Sequence, residues 1–82
     1  MTQIEWTEVA LADMAALDQG IARRVKRAVE RLAGTGAGDV KRLQGIDPPE
    51  YRLRVGDYRV RFYQNRDTIH VLRVRNRREA YR

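Results

Sequence analysis

Cysteine is absent from this 82-residue sequence, and proline occurs only twice. Without cysteine, no disulfide can stabilise the fold and no thiolate can act as a nucleophile or metal ligand. No apolar run approaches the roughly 20 residues that a membrane-spanning helix needs. The first residues also lack the basic segment followed by an apolar stretch that is typical of a secretory signal. These absences predict a cytoplasmic protein with no membrane segment.

Apolar residues are present in the amount that one small core needs. They make up 43% of the chain, which is close to the globular norm, although 34% of the residues are charged. A chain of this length has room for one folding unit, so we expect a single domain over residues 1–82. With no disulfides, its stability must come from close packing or from a partner that covers exposed surface.

Positive charge is concentrated in the C-terminal half. The net charge is +6; residues 1–40 contain five Lys/Arg and six Asp/Glu, whereas residues 41–82 contain twelve and five. This distribution is typical of a surface that attracts phosphate groups. A solvated basic surface without a ligand is the alternative that charge alone leaves open.

Apolar periodicity and turn residues predict an α+β domain of order β-αα-ββββ. The expected strands and helices cover residues 3–6, 8–17, 21–33, 40–43, 51–55, 58–63 and about 68–75. Thr7 is the expected N-cap of the first helix, and Gly20 is expected to separate the two helices. The glycine-rich segment 34–38 follows a helix and enters a strand, so it is interpreted as a connector rather than a phosphate-binding loop. We therefore expect an N-terminal strand and a helical hairpin packed on a small antiparallel β-sheet.

Gly56-Asp57 is the expected two-residue loop of a β-hairpin, with positive φ at Gly56. This loop sets the register of the two strands that flank it. Because side chains alternate between the faces of a strand, one face is then apolar and packs against the helices. The opposite face, here called the open face, carries Arg52, Arg54, Arg59 and Arg61, and we expect Arg73 and Arg75 of the next strand to extend it.

Stability alone does not favour this open face, because like charges directly opposite each other destabilise a sheet. No acidic side chain of the two paired strands lies on it. Arginine pairs bidentately with phosphate and stacks on bases. The pattern therefore favours a polyanion-binding surface, with a purely solvated basic face as the weaker alternative.

Two segments resemble conserved motifs of the RelE/ParE toxin superfamily. The first runs from Tyr51 to Val60 (YRLRVGDYRV) and is similar to the central motif of the superfamily. The second runs from Val74 to Arg82 (VRNRREAYR) and resembles its closing motif. A first strand containing Trp6, followed by a helical hairpin, fits the same RelE-like microbial ribonuclease fold.

The resemblance to the RelE-type branch implies a toxin of a type II toxin-antitoxin system that cuts mRNA in the ribosomal A site. It also implies a cognate antitoxin partner, contacts with mRNA and rRNA on the ribosome, and no metal or small-molecule cofactor. By the same resemblance, the catalytic positions are Arg52, Arg54, Arg59, Arg77 and Tyr81. The further residues expected to contact RNA are Arg61, Arg73, Arg75 and Arg78.

The sequence departs from the superfamily at two of these positions. Many members carry lysine where Arg52 stands and histidine where Asn76 stands. His70 is the only histidine, and we interpret it as a structural strand residue, so the sequence offers no obvious general base. Two other functions remain open: a ParE-like inhibitor of DNA gyrase and a non-catalytic RNA-binding module.

Overall fold

The computed structural model describes residues 2–77, which form two helices and five strands. In chain order the elements are β1 (Gln3–Trp6), α1 (Glu8–Ala15), α2 (Gln19–Thr35), β2 (Asp39–Arg42), β3 (Tyr51–Val55), β4 (Tyr58–Asn65) and β5 (Thr68–Asn76). The predicted order of elements is confirmed, with boundaries that shift by up to two residues.

The boundary between the two helices differs from the prediction. The Thr7 hydroxyl accepts a hydrogen bond from the Ala10 backbone N–H at 3.2 Å, which confirms the predicted N-cap of α1. Gly20 does not separate the helices, because it lies in the first turn of α2. The Asp18 carboxylate accepts from the Gly20 N–H at 3.1 Å and caps α2, which therefore begins two residues earlier than predicted. A local side-chain hydrogen bond thus outweighs the low helix propensity of glycine.

The five strands form one sheet of order β1-β5-β4-β3-β2. The four C-terminal strands pair antiparallel, as predicted, but β1 pairs parallel with β5. Parallel neighbours need a crossover connection, and part of the connection from β1 to β5 is the helical hairpin. The sheet is therefore mixed.

The core lies between α2 and one face of the sheet. Its fully buried members come from both layers and are mostly branched aliphatic residues. They include Val25 and Val29 of α2, together with Leu53, Val60, Phe62, Ile69, Val71 and Val74 of the sheet. The open face of the sheet lies on the other side.

Helix α1 runs along the edge of β5 beyond the point where β1 ends. The Thr7 backbone N–H donates to the Val71 carbonyl at 3.1 Å. Six residues further on, the Asp13 carboxylate accepts from the Val74 backbone N–H at 2.9 Å and from Arg73 Nε at 3.0 Å. Asp13 therefore satisfies a strand-edge donor that would otherwise lack a partner strand.

Neither helix in residues 2–77 is both long enough and apolar enough to cross a membrane.

Arg66 lies in the β4–β5 turn with φ 58, a left-handed conformation that L-residues other than glycine adopt at a cost. We expect Arg66→Gly to raise the free energy of unfolding by about 0.5 to 1 kcal/mol, because relief of this strain exceeds the extra chain entropy of glycine. Thermal denaturation measures the change. Arg66→Ala is the control and should give no such gain, since alanine keeps the strain; an equal gain in both variants would contradict the explanation.

Candidate nucleic-acid interface

The β3–β4 hairpin has the predicted register. Gly56 has φ 59, as the two-residue loop requires. Tyr51 pairs with Phe62, and Val55 pairs with Tyr58. The apolar residues of both strands therefore face the core, and their arginines face the other way.

Strand pairing arranges the charged residues of the open face in two rows that cross strands β2 to β5. Each row contains three arginines, and we call them the arginine rows. The first arginine row contains Asp39, Arg54, Arg59 and Arg75, and the second contains Lys41, Arg52, Arg61 and Arg73. Within each row, arginines on neighbouring strands lie directly opposite one another. Arg73 and Arg75 of β5 lie in these rows on the open face, as predicted.

A bulge in β5 makes this alignment possible. Arg61 pairs with Arg73, whereas the next residue, Phe62, pairs with Val71, so Leu72 has no partner on β4. The extra residue reverses the alternation of faces. Val71 and Val74 are thus both buried, and Arg73 still lies on the open face.

Two arginines of the second row have acidic partners that lie outside the β3–β4 strands. Arg61 forms a salt bridge with Glu50 at 2.7 Å, and Arg73 forms one with Asp13 at 3.0 Å. Glu50 precedes β3 and Asp13 belongs to α1, so inspection of the strands alone missed both. These carboxylates neutralise part of the row and hold its side chains in place.

Two buried donors of the second row have no acceptor among the residues that the structure describes. Arg52 Nε and Arg61 Nε are both inaccessible to solvent and make no hydrogen bond within residues 2–77. The two residues face each other across the hairpin. Buried N–H groups are nearly always paired, so these two unpaired donors are an unfavourable feature of the second arginine row.

Arg77 is placed beside the hairpin turn. Its backbone N–H donates to the Asp57 carbonyl at 2.7 Å, and its side chain is exposed. The first arginine row, with Arg54 and Arg59, lies at the same end of the sheet. Arg78 and Tyr81 lie outside the described residues.

A third row follows the second at the far end of the open face. His70 pairs with Tyr63 on β4 and with Glu5 on β1. The Tyr63 and His70 rings are stacked, with centroids 4.4 Å apart and planes 8° apart. At the strand rise of about 3.3 Å per residue, His70 lies roughly 20 Å along β5 from Arg77. It is therefore not positioned to act as a base beside that arginine.

The fold is that of RelE toxins. The RelB–RelE antitoxin-toxin complex of Methanococcus jannaschii matches with a TM-score of 0.78 and 27% identity, covering 94% of each chain. The RelE–RelB complex of Pyrococcus horikoshii OT3 matches with a TM-score of 0.77 and 24% identity over 93% of this chain and 94% of that one. The intact Escherichia coli RelBE toxin-antitoxin complex matches with a TM-score of 0.71 and 18% identity, covering 93% of this chain and 96% of that one. No curated protein sequence matches the chain significantly.

A family model, the ParE toxin of the type II toxin-antitoxin system parDE, matches residues 4–81. The chain belongs to this family, and it is a type II toxin of the RelE/ParE superfamily with the RelE fold.

The position of Arg52 between Lys41 and Arg61 predicts that this residue lowers the stability of the folded protein. We expect Arg52→Met to raise the free energy of unfolding by about 0.5 to 1 kcal/mol, because it removes a charge opposite Arg61 and Lys41 together with a buried unpaired donor. Chemical denaturation measures this. Arg54→Met is the matched control and should gain less, since Asp39 already lies opposite Arg54. A loss of stability in Arg52→Met would mean that the row is not under electrostatic strain.

Proposed function

We propose that this toxin is a ribosome-dependent endoribonuclease that cleaves mRNA in the A site and so inhibits translation. The observation that carries the proposal is the pair of arginine rows, in which arginines of neighbouring strands lie directly opposite one another on the open face. An arrangement that costs stability and presents phosphate-binding groups on one surface is best explained by an RNA ligand.

The arrangement suits cleavage by attack of a ribose 2′-OH on the adjacent phosphate. This reaction yields a 2′,3′-cyclic phosphate and a 5′-OH, and cations that stabilise the developing negative charge can promote it without a metal. Arg54, Arg59 and Arg77 lie at the turn end of the sheet and are assigned to that stabilisation. Arg52 binds a neighbouring phosphate, and Tyr81 of the closing motif is assigned to base stacking or proton transfer.

The remaining cations of the open face bind the RNA on either side of the cleaved bond. Arg61, Arg73 and Arg75 are assigned to backbone phosphates, together with Arg78 of the closing motif. Their charges act on RNA of any sequence, because phosphate contacts position a strand without reading its bases. Proton transfer to and from the reacting groups is assigned in part to the ribosome, since no histidine lies beside the first arginine row in the described residues and its one carboxylate, Asp39, is paired with Arg54 across the strands.

A cognate antitoxin is the proposed protein partner. The solved complexes from Methanococcus jannaschii and Escherichia coli are of RelE toxins with RelB antitoxins. A chain of net charge +6 that concentrates arginines on one sheet face would be complementary to an acidic segment. Such a segment would compete with RNA for the same cations.

Arg77→Ala tests the catalytic assignment. We expect it to reduce mRNA cleavage on programmed ribosomes by about 100-fold or more, because removal of one donor to a developing oxyanion costs that much in other enzymes. Arg59→Ala should behave similarly. Primer extension of ribosome-bound mRNA gives the rate and the cut sites, and the matched control, Arg31→Ala on exposed α2, should cleave like the wild type. Wild-type rates in Arg77→Ala would refute the assignment.

Inhibition of DNA gyrase is the second candidate function, and the ParE family model favours it. A gyrase inhibitor binds a protein target and does not need facing arginines with unsatisfied donors. A supercoiling assay with purified gyrase separates the two functions. Intact mRNA on programmed ribosomes together with inhibited supercoiling would replace the nuclease proposal with this one.

A further inference from the structure

The open face continues beyond the arginine rows into a cluster of different chemistry, the Tyr63–His70–Glu5 row. The two rings stack on each other, and a Glu5 carboxylate oxygen lies 3.6 Å from His70 Nδ1. The row borders the second arginine row along the same strands. It therefore lies where RNA that crosses the arginine rows would continue.

Glu5 keeps its capacity to accept hydrogen bonds. Its side chain is 68% exposed, and the 3.6 Å contact with His70 is longer than a hydrogen bond. No other interaction of this carboxylate is found in residues 2–77. An exposed carboxylate beside a phosphate-binding surface repels the RNA backbone, so only a neutral part of the RNA with N–H donors would be favoured there.

We propose that the Tyr63–His70–Glu5 row is a nucleobase subsite that prefers guanine. Among the four bases, guanine presents two adjacent donors, N1–H and the exocyclic amino group, which match the two oxygens of one carboxylate. Adenine, cytosine and uracil each place an acceptor beside their donor on the Watson–Crick edge, and Glu5 would repel it. The exposed parts of the stacked rings provide apolar and aromatic contact for the base.

The subsite lies away from the arginines assigned to cleavage. It would therefore affect which RNA sequences are bound rather than the rate of the chemical step. His70 is about 15 Å along β5 from Arg75 at the strand rise of about 3.3 Å per residue. A short single-stranded RNA segment spans this distance. The inference rests on the proposed function, because it supposes that RNA lies on the open face.

Glu5→Gln in the full chain tests the subsite, because glutamine keeps the shape of the side chain but replaces one acceptor with a donor. The probes are short 2′-O-methyl RNA oligonucleotides that cannot be cleaved, either uridine only or uridine with one guanosine. We expect the guanosine probe to shift the NMR signals of Tyr63 and His70 and to bind about tenfold more tightly than the uridine probe. Glu5→Gln should abolish that difference and retain binding of the uridine probe. Glu30→Gln, at an exposed site on α2, is the matched control.

Equal affinity for the two probes, unshifted Tyr63 and His70 signals, or a guanine preference that survives in Glu5→Gln would each overturn the proposal. Because the probes cannot be cleaved, the result does not depend on nuclease activity. Absence of mRNA cleavage on ribosomes by the wild-type protein would refute the proposed function separately. If the nuclease assignment holds, sequencing of cleavage sites should show a guanine enrichment at one fixed distance from the cut that Glu5→Gln removes.

Discussion

The hairpin turn at Gly56-Asp57 is the constraint on which the rest of the structure depends. A two-residue loop with positive φ at Gly56 allows one register between β3 and β4, and that register decides the face of every side chain in both strands. A shift of one residue would place the arginines in the core and the apolar residues in solvent. The separation of a buried apolar face from a cationic open face therefore follows from one local backbone geometry.

Carboxylates from outside the β3–β4 hairpin offset part of the positive charge of the open face. Glu50 and Asp13 each bind one arginine of the second row, and Asp13 also satisfies a backbone donor at the edge of β5. Both partners bind the β4 and β5 members of the row, so its positive charge is offset least at the β2 and β3 members, Lys41 and Arg52. Partial neutralisation of this kind holds arginine side chains in place and reduces the repulsion within the row.

The chemistry of the open face changes along the strands. Beside the turn lie Arg54, Arg59 and Arg77, the arginines to which the proposed function assigns stabilisation of the reacting phosphate. At the opposite end lie His70 and Glu5, an aromatic and acidic region that we propose binds a base. Under these two proposals, RNA on the sheet would meet groups for its backbone and groups for its bases at different places.

The sequence by itself determined the order of elements, the Thr7 cap and the hairpin register, because each depends on residues close together in the chain. The resemblance of residues 51–60 and 74–82 to the RelE/ParE motifs also predicted the superfamily correctly. Only the tertiary structure decided the parallel pairing of β1 with β5, the bulge at Leu72, and the partners Glu50 and Asp13. The position of Glu5 beside His70 was likewise decided by the tertiary structure. These features join segments distant in sequence, and neither periodicity nor turn chemistry specifies which distant segments meet.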